Sequence, residues 1–113
     1  MELDLGEAWR QMTGLPFVFA CWMARADSDL GALPSILSRC RDLNRYRSSE
    51  IAASHAVPSG WPEDLARRYL GEILRYEIGS RELEAIELFW QRCHALGLIE
   101  RVRPMRLYDN SQF

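Results

Sequence analysis

Eight consecutive uncharged residues, Phe17-Val18-Phe19-Ala20-Cys21-Trp22-Met23-Ala24, constrain this chain more than any other feature. Aromatic and β-branched side chains favour extended backbone. Alternation puts Phe17, Phe19, Cys21 and Met23 on one side, and Val18, Ala20, Trp22 and Ala24 on the other. Both sides are apolar, which predicts a strand buried between two layers, as in the parallel or mixed sheet of an α/β protein. Such a strand needs neighbours for its N–H and C=O groups. The sequence supplies at most one other strand candidate, Met105 to Tyr108, which reads equally as an extended tail. The sheet partners are therefore expected outside these 113 residues.

The remainder reads as about four helices. Asp4 and Glu7 stand at the spacing of a capping pair for a helix over residues 4–12, with Leu5, Ala8, Trp9 and Met12 on one stripe and Thr13-Gly14 as its stop. Pro34 is tolerable only near a helix start, so a second helix is expected from about Leu33 to His55, with Ile36, Leu37, Cys40, Leu43, Asn44 and Ile51 along one face. The turn formers from Val57 to Pro62 break it. Pro62-Glu63-Asp64 opens a third helix striped by Leu65, Tyr69, Ile73 and Tyr76 and ended by Gly79. Ser80 is the expected N-cap of a fourth, whose face carries Leu83, Ile86, Phe89, Trp90, Cys93 and Leu96 before Gly97 stops it.

Composition excludes several classes of function. A net charge of -2 argues against a general nucleic-acid binder, which needs a strongly basic face. All fourteen basic residues are Arg, which reads as a compositional habit and not as a site. Cys21, Cys40 and Cys93 are odd in number and widely spaced, a poor disulfide framework and a poor zinc site. The acidic start, Met1-Glu2-Leu3-Asp4, shows no signal-peptide n-region. The apolar run from Gly14 to Ala24 is shorter than the roughly 20 residues a membrane helix needs. These traits predict a cytoplasmic protein with no membrane or nucleic-acid partner.

Few constellations carry chemistry. Cys93-His94 with His55 could suggest a metal or a thiol nucleophile, but Cys93 falls on an apolar stripe and His94 has no ligand-spaced partner, so no metal is expected. Arg39, Arg41, Arg45 and Arg47 read as a solvated helix face rather than an anion patch. Glu82, Glu84 and Glu87 read as a cap-adjacent exposed face. No phosphate-cradling glycine loop or nucleophile elbow is present.

Two stretches carry a family likeness. Asp4-Leu5-Gly6-Glu7-Ala8-Trp9, continuing through Thr13-Gly14-Leu15-Pro16-Phe17-Val18-Phe19-Ala20 to Trp22 and Ala24-Arg25, resembles the central motif of the chorismate dehydratases of the futalosine route to menaquinone. Tyr69-Leu70, Ile73, Arg75-Tyr76, Ile78-Gly79, Arg81-Glu82-Leu83-Glu84, Phe89 and Gly97-Leu98-Ile99 resemble that family's last two helices. Together they cover most of this chain but only the C-terminal portion of the family's length. The sister lyase, which cleaves a later futalosine-derived intermediate, is similar in fold but less similar after Leu15-Pro16.

The resemblance implies an α/β parent fold of two lobes, similar to type II periplasmic binding proteins, with the ligand in the cleft between them. Residues 1–13 would end the second lobe, residues 14–24 would form the hinge and return strand, and residues 25–113 would supply helices covering the first lobe. The implied reaction removes water from chorismate to give an enolpyruvyl-oxy benzoate, with no cofactor. The implied substrate-binding residues are Thr13, Gly14, Leu15, Pro16 and Phe17, with Trp9 nearby; a hinge meeting a carboxylated ring suits backbone N–H groups and an aromatic wall. The catalytic residues are not carried by this chain's motifs. Taken singly, Phe17, Phe19 and Trp22 also suit plain core packing, and Thr13-Gly14 a plain helix stop. Three readings follow: part of an enzyme that needs its missing N-terminal portion, a non-enzymatic module pairing its strand with a second copy or a partner chain, and a small-molecule binder without catalysis.

Overall fold

The computed structural model describes residues 2–108; Met1 and residues 109–113, which the sequence reading assigns to the outer ends of its segments, lie outside the described residues. Two compact units form, one from residues 2–27 with 77–106 and the other from residues 28–76 with 107 and 108. Five α-helices account for most of the regular structure.

In the first unit, α1 spans Leu5–Thr13. Asp4 caps it, its Oδ1 accepting the Glu7 N–H at 2.9 Å, and this pairing follows from their spacing. Gly14 ends it at φ 70°, a left-handed conformation that glycine adopts without steric cost, and its N–H donates to the Arg10 carbonyl at 2.8 Å. Helix α5 spans Ser80–Ala95. Its N-cap is Gly79 and not the expected Ser80: the Gly79 N–H donates to Glu82 Oε2 at 2.9 Å, half of a capping box, which draws Ser80 into the first turn. The C-terminal end closes as a Schellman motif, with the Leu98 N–H on the Cys93 carbonyl at 2.9 Å and Gly97 left-handed.

Residues 15–25 run without helix, yet no strand forms among the described residues, which corrects the expectation of a buried strand. The reason is the absence of a second strand to build a ladder on. Backbone groups of residues 17–24 make no hydrogen bond to another described residue. Phe19, Trp22 and Met23 stand 76%, 86% and 78% exposed, so most of the run is exposed as well as unpaired, Phe17 and Val18 being half-buried. Residues 101–108 are also irregular, which decides between strand and tail for Met105 to Tyr108.

The second unit holds the expected long second helix in two pieces, α2 over Leu33–Tyr46 and α3 over Ser48–His55. Arg47 breaks it at φ -97°, ψ 9°, its N–H turned onto Asn44 and its guanidinium forked onto both Glu50 oxygens at 3.0 and 2.9 Å. Pro34 sits in the first turn of α2 as expected, but the apolar stripe of α2 buries nothing: Ile36 and Leu43 are more than half exposed. The core is made of small residues, Ala52, Ala56 and Ala66, with Leu70 against them. Alanine there lets helix backbones approach closely.

Helix α4, Glu63–Arg68, passes into a π turn over Tyr69–Ile73 and stops well before Gly79, where the third helix was expected to end. The Tyr76 hydroxyl donates to the Leu70 carbonyl at 2.9 Å, an acceptor that a continuing α-helix would give to Leu74. The Leu74 N–H bonds the Tyr69 carbonyl instead, at 3.0 Å, and the chain turns extended.

Candidate functional site

All six residues named as substrate-binding in the sequence fall in the first unit, around the end of α1. Trp9 is buried, and its indole N–H donates to the Pro16 carbonyl at 3.0 Å, which ties the segment after Gly14 back onto the helix. The Thr13 hydroxyl donates to the Trp9 carbonyl at 2.8 Å and accepts the Leu15 N–H at 3.1 Å. Leu15 is buried beneath this turn. The Gly14 carbonyl accepts from Arg81 Nη2.

Aromatic rings build the wall. Phe17 meets Trp9 edge-on at 6.2 Å, Phe19 at 4.7 Å and Phe89 at 6.2 Å, while Trp9 and Phe89 meet at 5.7 Å. The Arg92 guanidinium lies over the Trp9 ring at 5.7 Å, within cation–π range. Beside these rings runs an open groove of about 400 Å³, walled by Trp9, Pro16, Phe17, Ile86, Phe89 and Trp90 among others. Gly6 keeps this face close: a Cβ there would stand 3.2 Å from the Phe19 ring.

The walls of the groove are mainly aromatic and aliphatic. Of the hinge backbone N–H groups, Gly14's is engaged on Arg10 and Leu15's on Thr13, while Phe17's makes no hydrogen bond to another described residue. Among the described residues that line the groove, Cys21 carries the one ionisable side chain. Groups with shifted pKa values lie off it. Glu7 is held below its ordinary value by its hydrogen bond from Arg10, then by Gln11 and the Arg10 charge, and it is fully exposed. Tyr76, in the other unit, is pushed up by burial and by Tyr69. No set of three His, Cys, Asp or Glu side chains gathers as a metal site among the described residues, and no helix there is long and apolar enough to cross a membrane.

Phe89, Arg81 and Arg92 are the participants sequence reasoning did not place. Phe89 showed as part of an apolar stripe, but nothing in its spacing pointed at Trp9. Arg81 showed only as part of the family likeness and Arg92 carried no signal, because their contacts join residues far apart in sequence.

With the site laid out, its residues can be set against known families. A family model described as menaquinone biosynthesis matches residues 1–95. The chain belongs to the menaquinone biosynthesis family. The matched residues include every part of the site: the turn at residues 13–17, Trp9, and the α5 side chains Arg81, Phe89 and Arg92. The pathway of this menaquinone biosynthesis family member is thereby given. No solved structure matches the chain significantly.

Proposed function

We propose that this chain forms the C-terminal part of a carbon–oxygen lyase that removes water from chorismate, giving an enolpyruvyl-oxy benzoate for menaquinone. In this reading the parent enzyme has two lobes like a type II periplasmic binding protein, and residues 14–24 are its hinge and return strand. The observation that carries it is the run from Phe17 to Ala24. It leaves a segment outside any helix, apolar on both sides, with its ladder groups unmatched among the described residues and Trp22 86% exposed. A segment so built is stabilised by strands on either side and layers above and below. Membership of the menaquinone biosynthesis family supports the chemistry, and the aromatic wall of Trp9, Phe17 and Phe89 suits a ring-shaped substrate. Its partners are then the N-terminal portion of such an enzyme and chorismate, and the catalytic groups come from that portion.

Light scattering on the purified chain, alone and with a supplied N-terminal portion of a chorismate dehydratase, tests this. The expected outcome is self-association alone and a defined one-to-one complex with the partner, which then converts chorismate to a product lighter by one water. A monodisperse monomer that ignores the partner would sink the reading. A complex that is inert on chorismate but cleaves the later futalosine-derived intermediate would move the chain to the sister lyase. A stable pair of identical chains that excludes the partner would favour the non-enzymatic module.

A further inference from the structure

The hinge turn is held from a second direction, by a residue that neither its family likeness nor its local sequence assigns to it. Arg81 Nη2 donates to the Gly14 carbonyl at 2.5 Å, joining positions 67 apart in the chain. Both ends of this contact make physical sense. The Gly14 carbonyl lies at the end of α1, where carbonyls lack intrahelical partners and the helix dipole is negative, so a guanidinium is favoured there. Arg81 itself sits in the first turn of α5, where a cation faces the positive end of its own helix dipole. That placement is locally unfavourable, and the contact across to α1 offsets it.

Gly14 is also the joint of the segment, left-handed at φ 70° and without a side chain to restrict it. Its N–H is held by Arg10 and its carbonyl by Arg81, so both peptide planes at the joint are restrained. The restraint passes onward through Leu15 on Thr13 and Pro16 on the Trp9 indole to Phe17. We propose that Arg81 is a positioning residue for residues 13–17, setting the place of Phe17 and the groove wall from the rigid first turn of α5. Its bearing on substrate rests on the dehydratase reading above; its hold on the turn does not.

The test uses the full chain with Arg81→Met and Arg81→Lys. Solvent exchange of the Trp9 indole N–H, followed by NMR, reports the turn directly. Met is expected to speed that exchange about fivefold while α3 and α4 amides stay unchanged, and Lys, keeping one cationic donor, to restore it to within about twofold. In the complex with the dehydratase N-terminal portion, Arg81→Met is expected to raise KM for chorismate about fivefold with kcat within about twofold. An indole rate indifferent to Arg81→Met overturns the proposal, as does an unmoved KM in an active complex whose indole has loosened. An indole that responds in a chain giving no active complex upholds the hold on the turn and removes the dehydratase reading instead.

Discussion

Around Trp9 the chain packs large rings contributed by residues as far apart as Trp9, Phe17 and Phe89; around Ala52 it packs methyl groups from helices that follow one another closely. The aromatic cluster buries one big side chain and leaves its neighbour Phe19 mostly exposed. The alanine cluster buries three small ones, Ala52 being 1% exposed, and leaves the apolar faces of α2 and of the π turn uncovered. Truncation should therefore damage the first, and enlargement the second. Neither cluster has a large side chain fully buried among the described residues.

The sharpest way to break this contrast is Trp9→Ala. It removes the ring that Phe17, Phe89 and Arg92 all touch, and it frees the Pro16 carbonyl. The first unit should lose about 3–5 kcal/mol, read by denaturant titration of α1 and α5 amide signals, while α3 and α4 signals keep their midpoint. Parallel loss in both units would show that the two clusters are one cooperative system. Next in size is Ala52→Leu, which forces extra methylenes between closely packed helices and should cost about 1–3 kcal/mol in the second unit only. Stabilisation by this change would mean that the alanine cluster holds unfilled space.

Trp22→Ser should move stability by less than about 0.5 kcal/mol, because the ring is already in solvent. It should nevertheless reduce self-association and weaken the complex with a dehydratase N-terminal portion, as measured by light scattering. Unchanged assembly would show that the exposed face of the extended run is not where a partner sits.

The smallest effect concerns pH. Glu7 has its folded pKa below the ordinary 4.5 because Arg10 and Gln11 hydrogen-bond its carboxylate. The stabilisation is thus fully present above pH 4.5 and is lost as pH falls through the lowered folded value. Asp27 beside Arg25 and Glu50 beside Arg47 carry the same sign. An NMR titration should place the Glu7 midpoint below 4.5. Glu7→Gln should remove the part of the acid-range loss of α1 helicity that belongs to this residue. All these groups are fully exposed, so added salt should flatten the effect.

Local chemistry was readable from residue order alone. Asp4 and Glu7, Pro34, Gly14 and Gly97 mark helix ends by steric and hydrogen-bonding rules that act within a turn or two, and each stands where those rules put it. The residues of the hinge turn were also identifiable, and the structure brings Trp9 onto Pro16 and Phe17. Errors arose where two local options compete closely. Gly79 and Ser80 both serve as caps, and the Glu82 carboxylate chose the glycine. A helix through Arg47 is compatible with its composition, but there the Arg47 N–H bonds the Asn44 carbonyl three residues back and the helix breaks.

The sequence by itself determined the helix ends marked by Asp4, Gly14, Pro34 and Gly97, that Phe17 to Ala24 would stay out of helix and be apolar on both sides, and that the chain shares a pattern with menaquinone biosynthesis proteins. These follow from neighbours within a few residues, whose separation the backbone sets. Only the tertiary structure decided that Phe89 closes on Trp9, that Tyr76 takes the Leu70 carbonyl and so ends a helix early, and that Arg81 reaches Gly14. Such contacts depend on chain closure over several to many tens of residues, and residue order does not say which of many comparable side chains will meet.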